Sequence, residues 1–328
     1  MHMTARDAER SRRRKSVPPM RFGGDEVLWA AWLYYEEGLK QEEIALRLGV
    51  SRGSVFNLLQ KARDEGIVTI SVDPAGLARA DLAVALCEKS GLAECYVLPE
   101  DEGELTDRLG RLGARVMEQG LTPDAVIGVA WGRTVLALSK ALAPMQLPGV
   151  TVAQSTGSSM ATYDFTPEFC TSNIATRLSA RCVNLLAPGV VSTPMMKQLL
   201  SREPMIDRHF ALLRRCDVIL FGVTYLSGAT LLQESGFMTE EDTHVYRDAG
   251  AVGFASGYFF DAAGKIVMTE FDDRHMVMPL DDFMAVPRRI CVGGGPEKVE
   301  AIVGMLRAGI ATSLVLDSQT AQTVLERL

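Results

Sequence analysis

The stretch QEEIALRLGVSRGSVFNLL, residues 41–59, has the spacing of two helices joined by a tight turn. Ile44, Ala45 and Leu48 fall at i, i+1 and i+4, which predicts one buried face on a short helix over residues 41–48. Gly49 permits the left-handed conformation that ends it, and Ser51 is a good N-cap for a following helix that runs to about Glu65 and stops at Gly66. Ala45 is small where two helices cross, and Val50 and Val55 would lock the second helix to the third. Working outward, Leu28, Trp29, Trp32, Leu33 and Tyr35 fit one face of a preceding helix stopped by Gly38. After Gly66 the β-branched run at residues 67–72 predicts a short strand. Residues 25–73 thus read as a mostly helical, winged-type helix-turn-helix unit.

That packing leaves Arg52, Ser54, Asn57 and Lys61 pointing outward near the start of the third helix, where a recognition helix meets base edges. Arg can read guanine and Asn adenine through paired hydrogen bonds, while Gln41 and Ser51, at helix starts, suit phosphate contacts. An ordinary three-helix packing unit is the alternative. The small Ala, the turn Gly, the Ser cap and the polar outer face together favour double-stranded DNA. Gly53 costs about 1 kcal/mol relative to Ala within a helix; either it admits a close backbone or it is simply tolerated.

The chain has 328 residues, more than one ordinary core holds, so two domains are expected. No run of about 18 apolar residues occurs, so no membrane span is expected, and the basic N-terminus lacks the apolar stretch of a signal peptide. The six cysteines (Cys87, Cys95, Cys170, Cys182, Cys216, Cys291) form no CxxC pair and have no His at zinc-ligand spacing. They read as small buried hydrophobes in a reducing cytoplasm, with no metal and no cofactor expected. The net charge of −7 is unevenly spread: residues 1–72 carry +2 and the remainder −9. The acidity therefore says little against nucleic-acid binding by the N-terminal part. Residues 1–24, with six arginines, Lys15, Pro18-Pro19 and Gly23-Gly24, read as a mobile basic arm that either touches phosphates or is merely solvated.

From residue 74 onward, short apolar runs alternate with amphipathic helices. Residues 96–98, 125–129, 150–152, 218–221, 290–292 and 314–316 all read as buried strands. This predicts an α/β, Rossmann-like domain over residues 74–328, with a mostly parallel sheet covered on both faces. Two strand-to-helix junctions are rich in glycine: Gly128-Val129-Ala130-Trp131-Gly132-Arg133-Thr134 and Gly293-Gly294-Gly295-Pro296-Glu297-Lys298. Helix N-termini attract anions, and Arg133, Thr134 and Lys298 add donors. Ligands of open α/β sheets bind beyond the carboxyl ends of the strands, where both loops lie. Close strand–helix packing is the competing explanation of such glycines. The stretch Gln154-Ser155-Thr156-Gly157-Ser158-Ser159 reads either as a third wall of the same pocket or as a polar loop.

Residues 41–72, 128–134, 249–264 (AGAVGFASGYFFDAAG), Asp273-Arg274, and Gly293 to the end, with Gly294-Gly295, Lys298, Ala301-Ile302 and Asp317, carry a family resemblance. Over nearly all of its length after the arm, the chain resembles the SorC/DeoR-type family of sugar-responsive transcription regulators. The resemblance implies a C-terminal domain like sugar-phosphate isomerases, a tetrameric assembly and an effector that is a sugar, polyol or sugar phosphate. It implies operator DNA as partner and, in most relatives, repression of a catabolic operon. It also implies that residues 128–134 and Lys298 line the effector pocket. Asp261 reads as a structural turn residue in preference to a ligand contact. One departure stands out: after Gly250-Ala251-Val252-Gly253 the family usually places an acidic residue that contacts effector hydroxyls, whereas this chain has Phe254. Either the ligand is less hydroxylated there, or Gln154, Tyr258 or Arg274 supplies the contact.

The competing class is an enzyme, a sugar-phosphate isomerase-like protein carrying a DNA-binding unit. Only His2, His209, His244 and His275 are available, and none sits in a recognisable catalytic motif. Carboxylates leave a Glu or Asp base open, but a metabolic enzyme has no evident use for the fused unit. No catalytic residue is assigned, and a non-enzymatic regulator is expected.

Overall fold

Polar caps and glycines set the helix boundaries of the N-terminal unit. The computed structural model describes residues 17–68, 74–158, 163–227 and 231–328, and the chain divides into two compact units, Met1–Asp73 and Pro74–Leu328. Most of the basic arm, residues 69–72 of the expected strand, Asp73 and Ser159 lie outside the described residues. Ile67 and Val68 form a bend.

In the first unit, helix α1 (Glu26–Tyr35) starts at Asp25, whose carboxylate accepts from the Val27 and Leu28 amides. Helix α2 (Gln41–Leu48) ends at Gly49, where φ is +69°. Helix α3 (Arg52–Asp64) begins at Ser51, whose Oγ accepts from the Ser54 amide at 3.0 Å. An L-residue held left-handed at Gly49 would cost about 1–2 kcal/mol. Trp29, Leu33, Ile44, Ala45, Leu48, Val55 and Leu59 form the core between the three helices. Helix α1 is phased differently from the sequence expectation: Leu28, Trp32 and Tyr35 are 38%, 41% and 37% exposed. Val27, Ala30 and Ala31 are buried there with Trp29 and Leu33. A helix with large apolar residues all round has no single periodic stripe, so the small alanines mark the side of close approach.

The second unit is built on a seven-stranded parallel sheet of order β1-β11-β10-β5-β2-β3-β4. Its strands are β1 (Glu94–Leu98), β2 (Val126–Val129), β3 (Thr151–Gln154), β4 (Arg181–Val183), β5 (Val218–Phe221), β10 (Arg288–Val292) and β11 (Ser313–Asp317). Alternate residues feed two separate cores. Ile219, Phe221, Cys291, Leu314 and Leu316 join one, while Val218, Leu220, Ile290, Val292 and Val315 join the other. This period-two division is why the strands read as unbroken apolar runs: both faces are buried. Helices α4 (Pro74–Ser90), α5 (Leu105–Glu118), α6 (Arg133–Ala141), α7 (Pro167–Leu178), α8 (Pro194–Ser201) and α9 (Pro204–Leu213) come before β5. Helices α10 (Leu231–Glu234), α11 (Glu240–Asp248), α12 (Leu280–Ala285), α13 (Val299–Arg307) and α14 (Ser318–Arg327) follow it.

A second sheet, absent from the sequence reading, is antiparallel and runs β6 (Val223–Tyr225), β7 (Ala251–Ala255), β8 (Tyr258–Asp261), β9 (Ile266–Val267). Its strands are short and punctuated by Gly250, Gly253 and Gly257, which mask the alternation. Asp261 closes the β8–β9 turn by accepting from the Ala263 and Lys265 amides at 2.9 and 2.8 Å.

Helices α5 and α6 cross at Gly110, where an added Cβ would lie 2.5 Å from the Ala137 carbonyl carbon. Backbone cannot yield as a side-chain tip does. Gly110→Ala is therefore expected to destabilise the protein by about 2–3 kcal/mol, read as a lowered midpoint in urea. An unchanged midpoint would refute the close crossing.

Candidate functional site

Two regions bring chemistry-bearing residues together, one in each unit. On α3, Val55, Leu59 and Ala62 face the core, and Arg52, Asn57 and Lys61 are exposed. Arg52 Nη1 lies 3.5 Å from Glu42 Oε1 and Lys61 Nζ 3.5 Å from Glu65 Oε1, all four exposed. Exposed pairs of this kind are worth little, so either cation can exchange its carboxylate for a phosphate. Ser51 and Ser54 hold one another, Oγ to Oγ at 2.8 Å, so both hydroxyls serve the helix cap. Gln41 sits half-buried at the first position of α2. Around Gly53 an added Cβ would meet only Ser51 Oγ, at 3.8 Å. Nothing among the described residues of this unit requires glycine there. Phe56, four residues after Arg52, is 53% exposed and was missed, because an apolar residue in an amphipathic helix reads as core.

In the second unit a cavity of about 400 Å³ opens beyond the carboxyl ends of the adjacent strands β10, β5 and β2. Trp131, Gly132, Arg133 and Thr134 form part of its wall, and Gly294, Gly295 and Lys298 another part. Gly222 to Tyr225, Glu104 to Thr106, Leu232, Glu234, Phe254 and Ser256 complete most of the rest.

Gly132 caps α6 with φ +127°, a conformation closed to L side chains, and no side chain caps the helix and no acid lies in its first turn. The amides at that helix start carry partial positive charge toward the cavity. Arg133 Nη2 is 2.8 Å from Glu234 Oε2 across the cavity wall, with the guanidinium 5.8 Å from the Phe165 ring centroid. Thr134 donates from Oγ1 to the Val292 carbonyl at 2.8 Å, tying α6 to the end of β10. The Gly295 amide donates to Asp317 Oδ2 at 3.0 Å and Thr320 Oγ1 at 2.8 Å. Gly294 has no room for a Cβ, which would come within 2.3 Å of the same Asp317 oxygen. Asp317 thus shapes the second glycine loop from behind. Lys298 is half-buried, and among the described residues no carboxylate lies within 4.0 Å of its Nζ. Burial pushes its pKa below the ordinary lysine value, against the opposing field of Glu297.

Four residues expected at the pocket lie elsewhere. Gly128 is inside β2, where an added Cβ would press on Ile219 and Cys216 at 3.1 and 3.2 Å. Gln154 is fully buried: its Nε2 donates to the Thr156 carbonyl at 2.7 Å and its Oε1 accepts from the Leu185 amide at 3.2 Å. Tyr258 donates to the Met278 carbonyl, its ring near Phe283. Arg274 Nη2 is 3.6 Å from Asp242 and its guanidinium lies over Phe271. Each of these polar groups already has an internal partner, which the chain order does not disclose. None of the three proposed substitutes for an acid at position 254 faces the cavity.

Residues 77–326 match the family model described as "Putative sugar-binding domain", and residues 32–65 match that of sigma-70, region 4. The chain belongs to the SorC/DeoR-type family of sugar-binding transcriptional regulators. It is 36% identical, over 93% of its length and 95% of the relative's, to the "Uncharacterized transcriptional regulator YjhU" of Escherichia coli K12. It is 32% identical to the deoxyribonucleoside regulator of Bacillus subtilis 168, over 91% of this chain and 96% of that one. The full-length sorbitol operon regulator SorC from Klebsiella pneumoniae shares its fold, with TM-score 0.71, 24% identity, and coverage of 91% of this chain and 98% of that one. This regulator therefore pairs a helix-turn-helix unit with a sugar-binding domain, and the regulator reading made from the sequence holds. No helix among the described residues is long and apolar enough to cross a membrane.

Proposed function

We propose that this regulator represses a carbohydrate or polyol catabolic operon and leaves its operator when a phosphorylated sugar or polyol enters the cavity. One arrangement supports the ligand class above all others. The uncapped start of α6 and the half-buried Lys298 ammonium meet in a cavity that also carries the Trp131 and Phe254 rings. Two cationic elements suit a phosphate, and the neighbouring hydroxyls and carboxylates suit sugar hydroxyls. The Bacillus relative is named for a deoxyribonucleoside, a compound built on a pentose.

In this reading residues 25–73 bind DNA through Gln41, Ser51, Arg52, Ser54, Asn57 and Lys61, and residues 74–328 bind effector and assemble the chain into a tetramer in the cytoplasm. The effector shifts the equilibrium only if it binds the DNA-incompetent arrangement more tightly. A thermal-shift screen of sugars, polyols and their phosphates, followed by operator titration with each hit, tests this directly. The expected result is a phosphorylated hit that raises the melting temperature and weakens operator binding. The same compounds are expected to be recovered unconverted after incubation with the protein; efficient turnover would replace the regulator reading with the isomerase-like one.

Asn57→Ala is expected to lower affinity for the operator about ten-fold, the size of one lost base contact, and to leave effector affinity unchanged. Fluorescence anisotropy on a selected operator fragment reads the first and calorimetry the second. Equal operator affinity before and after would remove Asn57 from the recognition surface.

A further inference from the structure

Buried side-chain polar atoms without a hydrogen-bond partner, among the described residues, occur at Thr156, Ser256 and His275. Folded proteins leave few such atoms, and each calls for an explanation. These three come from segments that meet. Thr156 bridges to Val277, and a Cβ at Gly257, next to Ser256, would touch Val277 and His275. The His275 ring packs 4.9 Å from Phe237, which lies 5.5 Å from Trp131 and 6.1 Å from Phe254, both cavity residues. The cluster therefore stands behind the aromatic layer of the cavity, and Ser256 belongs to both.

Ser256 also sits in a costly conformation. Ala255 pairs with Tyr258, so Ser256-Gly257 is a two-residue hairpin turn, and both residues have positive φ, +51° and +101°. Such turns favour Asn-Gly or Gly-Gly; a serine held left-handed is strained without stabilising the turn. Ser256 is 5% exposed and its Oγ is buried, so water does not repay the strain by solvating the hydroxyl.

Resting on the ligand class proposed above, we propose that Ser256 is a specificity-determining residue whose hydroxyl hydrogen-bonds an uncharged oxygen of the effector, a hydroxyl or a carbonyl. The neighbourhood selects a neutral group. Thr156 is uncharged, Phe254 and Phe237 are apolar, and burial, with the field of the Lys197 ammonium, holds His275 neutral, its pKa pushed down to about 3. A charged group at this end of the ligand would be desolvated, and Lys197, the ammonium whose field reaches His275, is already bonded to the Asp272 carbonyl.

The test uses the full-length chain, Ser256→Ala and Ser256→Gly, with Lys298→Met as reference. Probes are aldose, ketose and alditol phosphates of five and six carbons, each with its monodeoxy derivatives, titrated by calorimetry. Ser256→Ala should weaken the best parent compound about ten-fold. One monodeoxy derivative should bind the wild type about ten-fold less well than its parent and lose nothing further in Ser256→Ala. Without ligand, Ser256→Gly should melt about 2 °C higher, since it removes both the strain and the stranded hydroxyl. Equal loss across all deoxy derivatives, unchanged affinity for the parent, or a lower melting temperature of Ser256→Gly would each overturn the assignment. If the parent binds and Lys298→Met abolishes that binding while Ser256→Ala does not alter it, only this inference falls. If no probe binds the wild type, the ligand class falls, and this inference with it.

Discussion

Lys298→Met should lose effector affinity by about 100-fold or more while binding operator in the absence of effector as the wild type does. Methionine keeps most of the side-chain volume, so the cavity keeps its shape and the loss reports the charge. Truncating one partner of a partly buried, hydrogen-bonded charge pair costs about 2–5 kcal/mol, which is roughly 30- to 5,000-fold. Lys298 falls well within that range, because it lines the cavity and no carboxylate among the described residues lies within 4.0 Å of its Nζ.

The ligand-free protein should respond in the opposite sense. Burial lowers the folded-state pKa of Lys298 below its unfolded value, so keeping the ammonium charged opposes folding at neutral pH. That penalty is fully present below the lowered folded pKa and fades as pH rises from there through the ordinary lysine value. Lys298→Met should therefore melt above the wild type at pH 7, with the gap closing at alkaline pH. Calorimetry with the phosphorylated hit and thermal melts across pH read both effects. Wild-type affinity for every phosphorylated probe would misplace the pocket.

Phe254→Asp should cost about 3–5 kcal/mol of stability, a fall in melting temperature of roughly 10 °C. The family resemblance implies an acid at this position, so the substitution looks conservative from that pattern alone. The surroundings here are built for an aromatic ring. Phe254 is 7% exposed, 6.1 Å from Phe237 and 4.7 Å from the fully buried Phe259, centroid to centroid. A carboxylate in its place loses the ring's packing, and Arg274, which the sequence offered as a contact here, is occupied with Asp242. The group would then fold protonated or force the layer apart. A melting temperature within about 2 °C of wild type would show that the aromatic layer is not built around Phe254.

Local chemistry was legible in the sequence. Residues 41–48 form α2 as expected, Ser51 caps α3, and Gly49 takes the left-handed conformation. The buried strands at 218–221 and 314–316 also appear where the apolar runs stand. These features depend on residues within one or two turns of each other, so their pattern survives in the chain order. Both glycine loops reach one cavity because parallel strands place their carboxyl ends at the same edge.

The rest needed tertiary structure. Gln154, Tyr258 and Arg274 looked available from the sequence, yet each is bonded to a group the pattern does not reveal: the Thr156 carbonyl, the Met278 carbonyl and Asp242. Glu104 and Glu234, two of the three carboxylates of the cavity wall, come from segments that follow different strands, and Ser256 from a turn in a sheet whose glycines mask its period. Periodicity tells which side of an element is buried, because burial of a face is a property of that element alone. It does not tell what stands opposite, because a hydrogen-bond partner or a neighbouring ring is chosen by packing between distant segments. For this regulator, the helix-turn-helix and the location of the pocket were written locally. The composition of the pocket, with phenylalanine at 254 and an unpartnered serine two residues on, was decided by how the two sheets meet.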